Sequence, residues 1–235
     1  MLKSLIRFFG YEVIKQKKSP TLDSHLHIIL KKLDINYVID VGANNGQFGM
    51  SLRRNGYKGN ILSFEPSIDP FNKLQVVANC DLKWEVRNIG LSDKKETKKI
   101  NIFEASDLNS IFEPSDFGTK RFKSRMKVLY SETIELDTLD NVLGNLDLEN
   151  KRIFLKMDTQ GYDLNVFKGA KEYIEKILGL LSEIPLQHIY KNNDNYHDIL
   201  KQYESHDFMI SGIFPVSRNK EDETIIELDC VMVKI

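Results

Sequence analysis

The sequence predicts an α/β fold with a mostly parallel β-sheet, preceded by N-terminal helices and closed by a C-terminal antiparallel hairpin. Short apolar strands alternate with helical segments over residues 36–91, a pattern typical of parallel sheets. The first strand ends in an acid and runs into a turn of small residues, Gly42-Ala43-Asn44-Asn45-Gly46, followed by a helix, as in nucleotide sites. The last two strands are joined by the polar loop 215–223, which is too short for a crossover helix and predicts antiparallel pairing.

The composition fits a globular protein with one sizeable core. The chain has 235 residues and a formal net charge of -1, which gives no electrostatic case for a nucleic-acid partner. Cys80 and Cys230 have no metal-binding or redox spacing, so we expect buried free thiols in a reducing compartment. No apolar run approaches the roughly 20 residues that span a bilayer. The expected location is cytoplasmic.

The first 35 residues are predicted to form a helical extension in two pieces, split near Ser19-Pro20. The piece over residues 1–18 has apolar residues on one side and lysines at its end. We interpret it as a helix that caps the core or covers the active site, with lysines opposing the helix dipole. The alternative is a basic amphipathic helix in peripheral contact with an anionic membrane. The second piece covers about residues 22–33.

The remaining elements follow from apolar runs and from the residues that end them. The first helix after the glycine turn ends at Asn55-Gly56, and the second strand is stopped by Pro66. Strands are predicted at 36–41, 59–65, 84–91, 98–103, 127–136, 152–158, 179–184, 208–214 and 224–233, and helices at 47–55, 70–79, 139–148, 163–176 and 195–205. Residues 92–136 interrupt the alternation, and 104–115 is a polar loop. Because long loops usually carry function, we expect residues 104–130 to form the wall that meets the substrate.

Three predicted strands end in acids: Asp40, Glu65 and Asp158. In a parallel sheet these ends share one edge, where ligands bind. Glu65 is placed to accept hydrogen bonds from both hydroxyls of a ribose, and the glycines let the backbone approach a ligand closely. Asp40 precedes the first glycine by two residues, which disfavours a pyrophosphate and favours an ammonium group. These features indicate S-adenosylmethionine as the cofactor. The least favoured alternative is an NAD-dependent reductase.

Three segments, Val38–Gly46, Phe64-Glu65-Pro66 and Leu155–Ala170, resemble the FkbM family of methyltransferases. Further matches are Thr138-Leu139-Asp140 and Leu181-Ser182-Glu183, and the resemblance covers a methyltransferase domain over residues 36–235. It implies a class I methyltransferase, or Rossmann-like, fold with a seven-stranded sheet and S-adenosylmethionine as methyl donor. It also implies O-methylation of a hydroxyl, commonly on a sugar of a polysaccharide, a glycolipid or a secondary metabolite.

The resemblance also assigns residues to the site. The residues expected to hold the cofactor are Asp40, Gly42, Ala43, Asn44, Gly46, Glu65, Pro66, Ser67, Asn88 and Asp158. Asp158 would lie beside the methyl group. The residues expected to meet the sugar or glycan acceptor are Gln160, in the matching turn, and Ser110 and Arg125, which come from the predicted wall at 104–130 and not from the resemblance. Many family members carry an acid where this chain has Gln160, so we expect this position to orient groups rather than remove a proton.

A sugar hydroxyl is a poor nucleophile, so we expect a general base. The candidates are Asp158, Glu183 and His188, although a surface histidine is an equally good interpretation of the last. A divalent ion between Asp158 and Glu183 is an alternative, but no motif demands one and no metal site is predicted. Two other classes are a non-catalytic S-adenosylmethionine-binding scaffold of a glycan-assembly complex and an N-methyltransferase. The turn Asp158–Gly161 opposes the latter, since nitrogen acceptors often come with an Asn-Pro-Pro-Tyr-like turn.

Overall fold

A computed structural model describes residues 20–234 of the chain. Its central sheet contains β1 (Tyr37–Val41), β2 (Asn60–Phe64), β3 (Trp84–Arg87), β7 (Ile153–Met157), β8 (Ile177–Pro185), β9 (Phe208–Arg218) and β10 (Ile225–Lys234). The strand order is β3-β2-β1-β7-β8-β10-β9. The first five pair in parallel, whereas β10 is antiparallel to both β8 and β9. The predicted seven-stranded, mostly parallel sheet with a C-terminal antiparallel hairpin is confirmed.

Helices flank the sheet, and some of them begin at a side-chain cap. They are α1 (Leu22–Lys32), α2 (Gln47–Arg54), α3 (Ile68–Ala78), α4 (Asp116–Phe122), α5 (Leu139–Gly144), α6 (Asp163–Lys168) and α7 (Tyr196–Glu204). Thr21 caps α1 and Asn195 caps α7, because each side chain accepts a hydrogen bond from a backbone N–H of the first turn. Within residues 20–234, no helix is long and apolar enough to cross a membrane. The helix predicted for residues 1–18, with its membrane contact, lies outside the described residues.

The core lies on both faces of the sheet, which explains why β1 and β7 are apolar along nearly their whole length. On one face, Ile39 and Leu155 pack with residues of α5, α6 and α7. On the other face, Val38 and Phe154 pack with Leu26 and other residues of α1. The helix α1 is therefore fixed against the sheet by the same core as the strands.

A second, smaller sheet contains β4 (Gly90–Leu91), β5 (Glu96–Phe103) and β6 (Val128–Asp137), in the order β4-β6-β5. The prediction of one strand over residues 84–91 was wrong, because the chain leaves the central sheet after β3. At the break, Asn88 donates its side-chain amide to the backbone carbonyls of Glu65 and Pro66. The two residues that follow belong to the second sheet.

Three helix predictions also need correction. The helix predicted over residues 163–176 ends at Lys168, and a separate 3₁₀ turn covers Ile174–Lys176. Gly169 fits closely at this end, since a Cβ there would lie 2.2 Å from the carbonyl oxygen of Ser92. The helix predicted over 139–148 ends at Gly144.

The third helix correction concerns α4, which was not predicted. It is capped by Ser115, whose side chain accepts a hydrogen bond from the backbone N–H of Gly118.

Of the two cysteines, Cys230 is buried as expected, whereas Cys80 is exposed.

Candidate active site

A cavity of about 300 Å³ opens at the carboxyl ends of β1, β2 and β7. Its floor is the glycine turn and the first residues after β2 and β7, as predicted. One wall is the apolar inner side of the second sheet, formed by Leu91, Ile100, Ile134 and Leu136. The segment Ser106–Asn109 closes over the glycine turn, where Ser106 Oγ donates to Asn44 Oδ1 at 3.2 Å. The site is a partly enclosed pocket with one apolar and one polar side.

The glycine turn passes very close to the end of β7. Gly42 has a φ of +73°, and a Cβ at this position would lie 2.0 Å from the carbonyl oxygen of Asp158. Only glycine permits both the backbone conformation and the close approach. This contact sets the floor of the cavity.

Gly42→Ala is therefore expected to lower the free energy of unfolding by well over 2 kcal/mol, because left-handed strain of about 1–2 kcal/mol adds to a backbone collision. Gly56→Ala is the matched control: Gly56 has a φ of +88° but nothing within 4 Å of its Cβ position. It should cost only the strain. Urea unfolding of both variants measures the difference, and equal losses would show that the turn can move away from Asp158.

Glu65 is a buried carboxylate held by two backbone donors. Asn44 N donates to Oε2 at 2.8 Å and Ser67 N donates to Oε1 at 2.9 Å. Burial raises the pKa of Glu65, and the donors Ser67 and Asn44 and the charge of Lys156 oppose that rise. Each oxygen keeps a second lone pair, and the residue lines the cavity. The arrangement fits a ligand with two neighbouring hydroxyls, such as a ribose.

Asp40 does not line the cavity, contrary to the expectation that it would meet the ammonium group of the cofactor. It is fully buried, with Oδ1 at 3.0 Å from Lys156 Nζ and Oδ2 accepting from Ser63 Oγ at 3.1 Å. Lys156 also donates to the carbonyl of Gly42 at 2.9 Å. Asp40 thus acts on the glycine turn through a buried lysine.

Sequence reasoning assigned no role to Lys156. Burial alone would lower the pKa of this ammonium, but Asp40 and Asp158 outweigh burial and raise it. The signal was present in the sequence, because a lysine inside an otherwise apolar strand requires a buried anionic partner.

Three other predicted cofactor residues shape the cavity from behind rather than line it. Gly46, with a φ of +86°, caps α2 and leaves room for Leu74. Ser67 is fully buried and donates its backbone N–H to Glu65. Asn88 fixes the backbone after β2, as described above. The predicted residues that do line the cavity are Gly42, Ala43, Asn44, Glu65, Pro66 and Asp158.

Carboxylates form a row across three neighbouring strands, at the end of β7, on β8 and on β10. They belong to Asp158, Glu183 and Asp229, the last two being directly paired across the antiparallel strands. Gln160 Nε2 donates to Asp158 Oδ1 at 3.0 Å and to Glu183 Oε2 at 2.9 Å. Its Oε1 accepts from Tyr190 at 2.9 Å. Gln160 therefore holds the carboxylates of two adjacent strands in a fixed position.

Burial and mutual repulsion make it harder for the carboxyl groups of this row to ionise, so their pKa values are raised. Burial raises the pKa of Glu183 well above its usual range, and the charge of Asp158 adds to the shift. Burial and the same neighbour raise the pKa of Asp229 to about 7. Burial also raises the pKa of Glu227, two residues before Asp229, to about 7, but Glu227 does not line the cavity. Perturbed carboxyl groups beside a cavity are typical of acid–base sites.

The structure places His188 away from the chemistry. It is exposed and does not line the cavity, and its backbone carbonyl accepts from Ser115 Oγ at 2.6 Å. The structure does not bring His188 to the cavity, because its side chain is exposed whereas the next two residues, Ile189 and Tyr190, are buried. The alternative interpretation of a surface histidine matches this position.

Two of the three predicted acceptor residues do not line the cavity. Ser110 is buried and donates to the backbone carbonyl of Gln160 at 2.8 Å, so it supports the turn from behind. Arg125 is exposed and pairs with Asp107 at 2.7 Å. Asp107 and Gln160 themselves line the cavity. Arg125 therefore contacts a residue of the cavity wall, Asp107, without lining the cavity itself.

The donor set between Asp158 and Glu183 does not favour a metal ion, because the amide N–H₂ of Gln160 lies between the two carboxylates. Across residues 20–234, no three His, Cys, Asp or Glu side chains are grouped to hold a metal ion.

A family model described as "Methyltransferase FkbM domain" matches residues 40–210. The chain belongs to the FkbM methyltransferase family. The match includes the glycine turn, Glu65 and the turn after β7, which are the segments that form the cavity floor. Membership of this family confirms the resemblance, and with it S-adenosylmethionine as the cofactor. The buried carboxylate with two remaining lone pairs and the glycine turn fit that cofactor.

Two curated methyltransferases are similar in sequence to part of this chain. "Methyltransferase sdnD" of Sordaria araneosa is 27% identical over 158 residues, which are 58% of this chain and 61% of the relative. "Methyltransferase 1" of Beauveria bassiana is 22% identical over 152 residues, which are 59% of this chain and 60% of the relative. The chain thus spans about three fifths of the length of these relatives.

Solved methyltransferase structures are more distant. An rRNA methylase from Streptococcus thermophilus has a TM-score of 0.49 at 11% identity and covers 92% of this chain and 98% of its own. Magnesium protoporphyrin IX methyltransferase from Synechocystis, solved with bound SAM, has a TM-score of 0.48 at 10% identity and covers 100% of this chain and 91% of its own. Likeness at this level says nothing about the acceptor of the FkbM chain.

Proposed function

We propose that this protein transfers the methyl group of S-adenosylmethionine to a hydroxyl oxygen of a sugar, in the assembly of a polysaccharide, another glycan or a secondary metabolite. The observation that carries the proposal is the row of carboxylates beside the cofactor residues. A carboxylate accepts a hydrogen bond from a hydroxyl and can take its proton. The turn after β7 places Asp158 and Gln160 at this row.

The cofactor is expected to lie along the floor of the cavity. Glu65 would accept hydrogen bonds from its ribose hydroxyls, and the glycine turn would run beside it. The apolar wall of Leu91, Ile134 and Leu136 suits the flat adenine ring. When bound, S-adenosylmethionine supplies a methyl carbon that is electrophilic because it is attached to a positively charged sulfur. The residues of the chain align the acceptor and exclude water.

The acceptor side of the cavity offers groups that suit a polyhydroxylated ligand. Asp107, Asn109, Gln160 and Asp229 line it together with Asp158. Asn109 is held in one orientation, because its Oδ1 accepts from the backbone N–H of Phe103 at 2.9 Å. Its buried Nδ2 has no partner among residues 20–234.

Two measurements test this function. Calorimetry should detect binding of S-adenosylmethionine and its demethylated product, and no binding of NAD. Transfer of an isotopically labelled methyl group to a panel of nucleotide sugars, methyl glycosides and glycans should then give an O-methyl product, located by mass spectrometry. Binding of NAD alone would overturn the proposal. An N-methyl product, or cofactor binding without transfer to any sugar, would favour the N-methyltransferase or the scaffold respectively.

A further inference from the structure

The acidic row contains one carboxylate that sequence reasoning did not identify. Asp229 lies on β10, where it pairs directly with Glu183 of β8. Directly opposed residues of antiparallel strands project from the same face with their Cβ atoms about 5 Å apart. Asp229 lines the cavity together with Asp158. The hairpin thus brings an acid from the C-terminal end of the chain to the acceptor side of the site.

The carboxylates of the row differ in the hydrogen bonds and ion pairs that they make with other side chains. Asp158 accepts from Gln160 at 3.0 Å and has Lys156 Nζ at 3.5 Å from its other oxygen. Glu183 accepts from the same amide at 2.9 Å. Asp229 makes no side-chain hydrogen bond or ion pair with any residue between 20 and 234. Hydrogen bonds to a carboxylate stabilise its charged form and weaken it as a base. Asp229 is the carboxylate of the cavity that keeps all its lone pairs for a ligand.

We propose that Asp229 is the general base that removes the proton from the acceptor hydroxyl, with Asp158, Gln160 and Glu183 orienting the acceptor. This inference rests on the proposed function and assigns the base within the same site. It replaces Asp158 and Glu183 as base candidates. One oxygen of each accepts from the amide of Gln160, the other oxygen of Asp158 lies 3.5 Å from Lys156 Nζ, and Glu183 does not line the cavity.

The step balances with the groups named. An oxygen lone pair of the acceptor forms the new bond to the methyl carbon, and the carbon–sulfur bond breaks with its electron pair going to sulfur, which becomes a neutral thioether. The hydroxyl proton moves to a carboxylate oxygen of Asp229 and leaves later to water. No oxidant, reductant or metal ion is required.

The electrostatic surroundings suit this role. Burial raises the pKa of Asp229 to about 7; the charges of Asp158 and Asp163 reinforce the shift and that of Lys156 opposes it. A base is most effective when its pKa lies near the working pH. The rate of methyl transfer should therefore increase with pH as Asp229 becomes ionised, and this rising limb of the pH–rate profile should lie near neutral pH.

Asp229→Asn tests the assignment, because it removes the base and keeps the side-chain volume. The matched control is Glu227→Gln, which removes a carboxylate with a similarly raised pKa from the same strand. Glu227 does not line the cavity, and its hydrogen bond from Ser217 can be kept by a glutamine oxygen. Rates are measured from pH 5 to 9 with methyl glycosides of hexoses, hexuronic acids and amino sugars as probe acceptors, alongside calorimetry with S-adenosylmethionine.

Asp229→Asn is expected to lower the rate about 100-fold or more and to remove the limb near neutral pH, with cofactor affinity and melting temperature close to wild type. Glu227→Gln should keep both the rate and the limb. Carbon-13 NMR of aspartate-labelled protein provides a readout without an acceptor: one carboxyl resonance should titrate near neutrality and be missing from Asp229→Asn.

The outcomes separate the two proposals. Wild-type protein that does not bind S-adenosylmethionine would overturn the proposed function itself. Normal cofactor binding with an unchanged rate and limb in Asp229→Asn would overturn only the base assignment. A resonance of Asp229 that titrates in the ordinary range of aspartate would overturn it as well, even if no probe acceptor is methylated.

Discussion

Glu65→Ala is expected to weaken the binding of S-adenosylmethionine by about 100-fold or more. The carboxylate would lose hydrogen bonds to two ribose hydroxyls, and hydrogen bonds to charged groups contribute about 1.5–3 kcal/mol each, where 1.4 kcal/mol corresponds to tenfold in affinity. The substitution also removes the acceptor of two backbone N–H groups, that of Asn44 in the floor of the cavity and that of Ser67 behind it. Calorimetry with the purified variant gives the affinity directly.

Glu65→Gln sharpens the test. Both carboxylate oxygens accept from backbone N–H groups, so a glutamine must direct its NH₂ group at one of these donors. We expect a loss of affinity similar to that of alanine, although the side-chain volume is kept. The matched control is Glu85→Ala on β3, whose exposed carboxylate pairs with Arg87 and does not line the cavity. This variant should bind the cofactor as the wild type does. Unchanged affinity in Glu65→Ala would show that the ribose lies elsewhere.

The position of Glu65 could be predicted from sequence because it depends on local features. The sequence shows a continuous apolar strand that ends in Phe64-Glu65-Pro66, with an acid at its end and a proline after it. Parallel strands end at one edge of a sheet, which places that acid beside the ligand. The same reasoning located the glycine turn and Asp158. The ends of β1, β2 and β7 were predictable to within one residue, because an acid, a glycine or a proline lies at or just after each of them.

The role of Asp40 could not be predicted in the same way. Its position at the strand end was correct, but the direction of its side chain depends on what the neighbouring strand presents. In the parallel register Asp40 is opposite Lys156, and a lysine is within reach only because the two strands are adjacent in space. A single sequence does not specify that pairing, so the acid was assigned to a ligand instead of to its buried partner.

Asp229 was missed for a related reason. Whether a residue of a strand faces a cavity depends on register, and a shift of one residue reverses every side chain. The pairing of Asp229 with Glu183 depends on the register of β10 against β8, which no local pattern predicts. The second sheet escaped detection because its strand β4 has only two residues, Gly90–Leu91.

The buried pair of Lys156 and Asp40 leads to the second large effect. Lys156→Met is expected to lower the free energy of unfolding by about 3–5 kcal/mol, since it leaves the carboxylate of Asp40 fully buried with Ser63 as its one side-chain hydrogen-bond donor among residues 20–234. The carbonyl of Gly42 also loses its donor, so the glycine turn should loosen and cofactor affinity should fall with stability.

A double-mutant cycle separates the charge from the packing. Asp40→Asn combined with Lys156→Met removes both charges and keeps similar volumes, so the double variant should be more stable than Lys156→Met alone, as is usual when both members of a buried ion pair are replaced. Urea unfolding of the four proteins gives the coupling energy. If the losses of the two single variants simply add, the lysine stabilises the turn through Gly42 and not through Asp40, and the acid before the glycine turn has another partner.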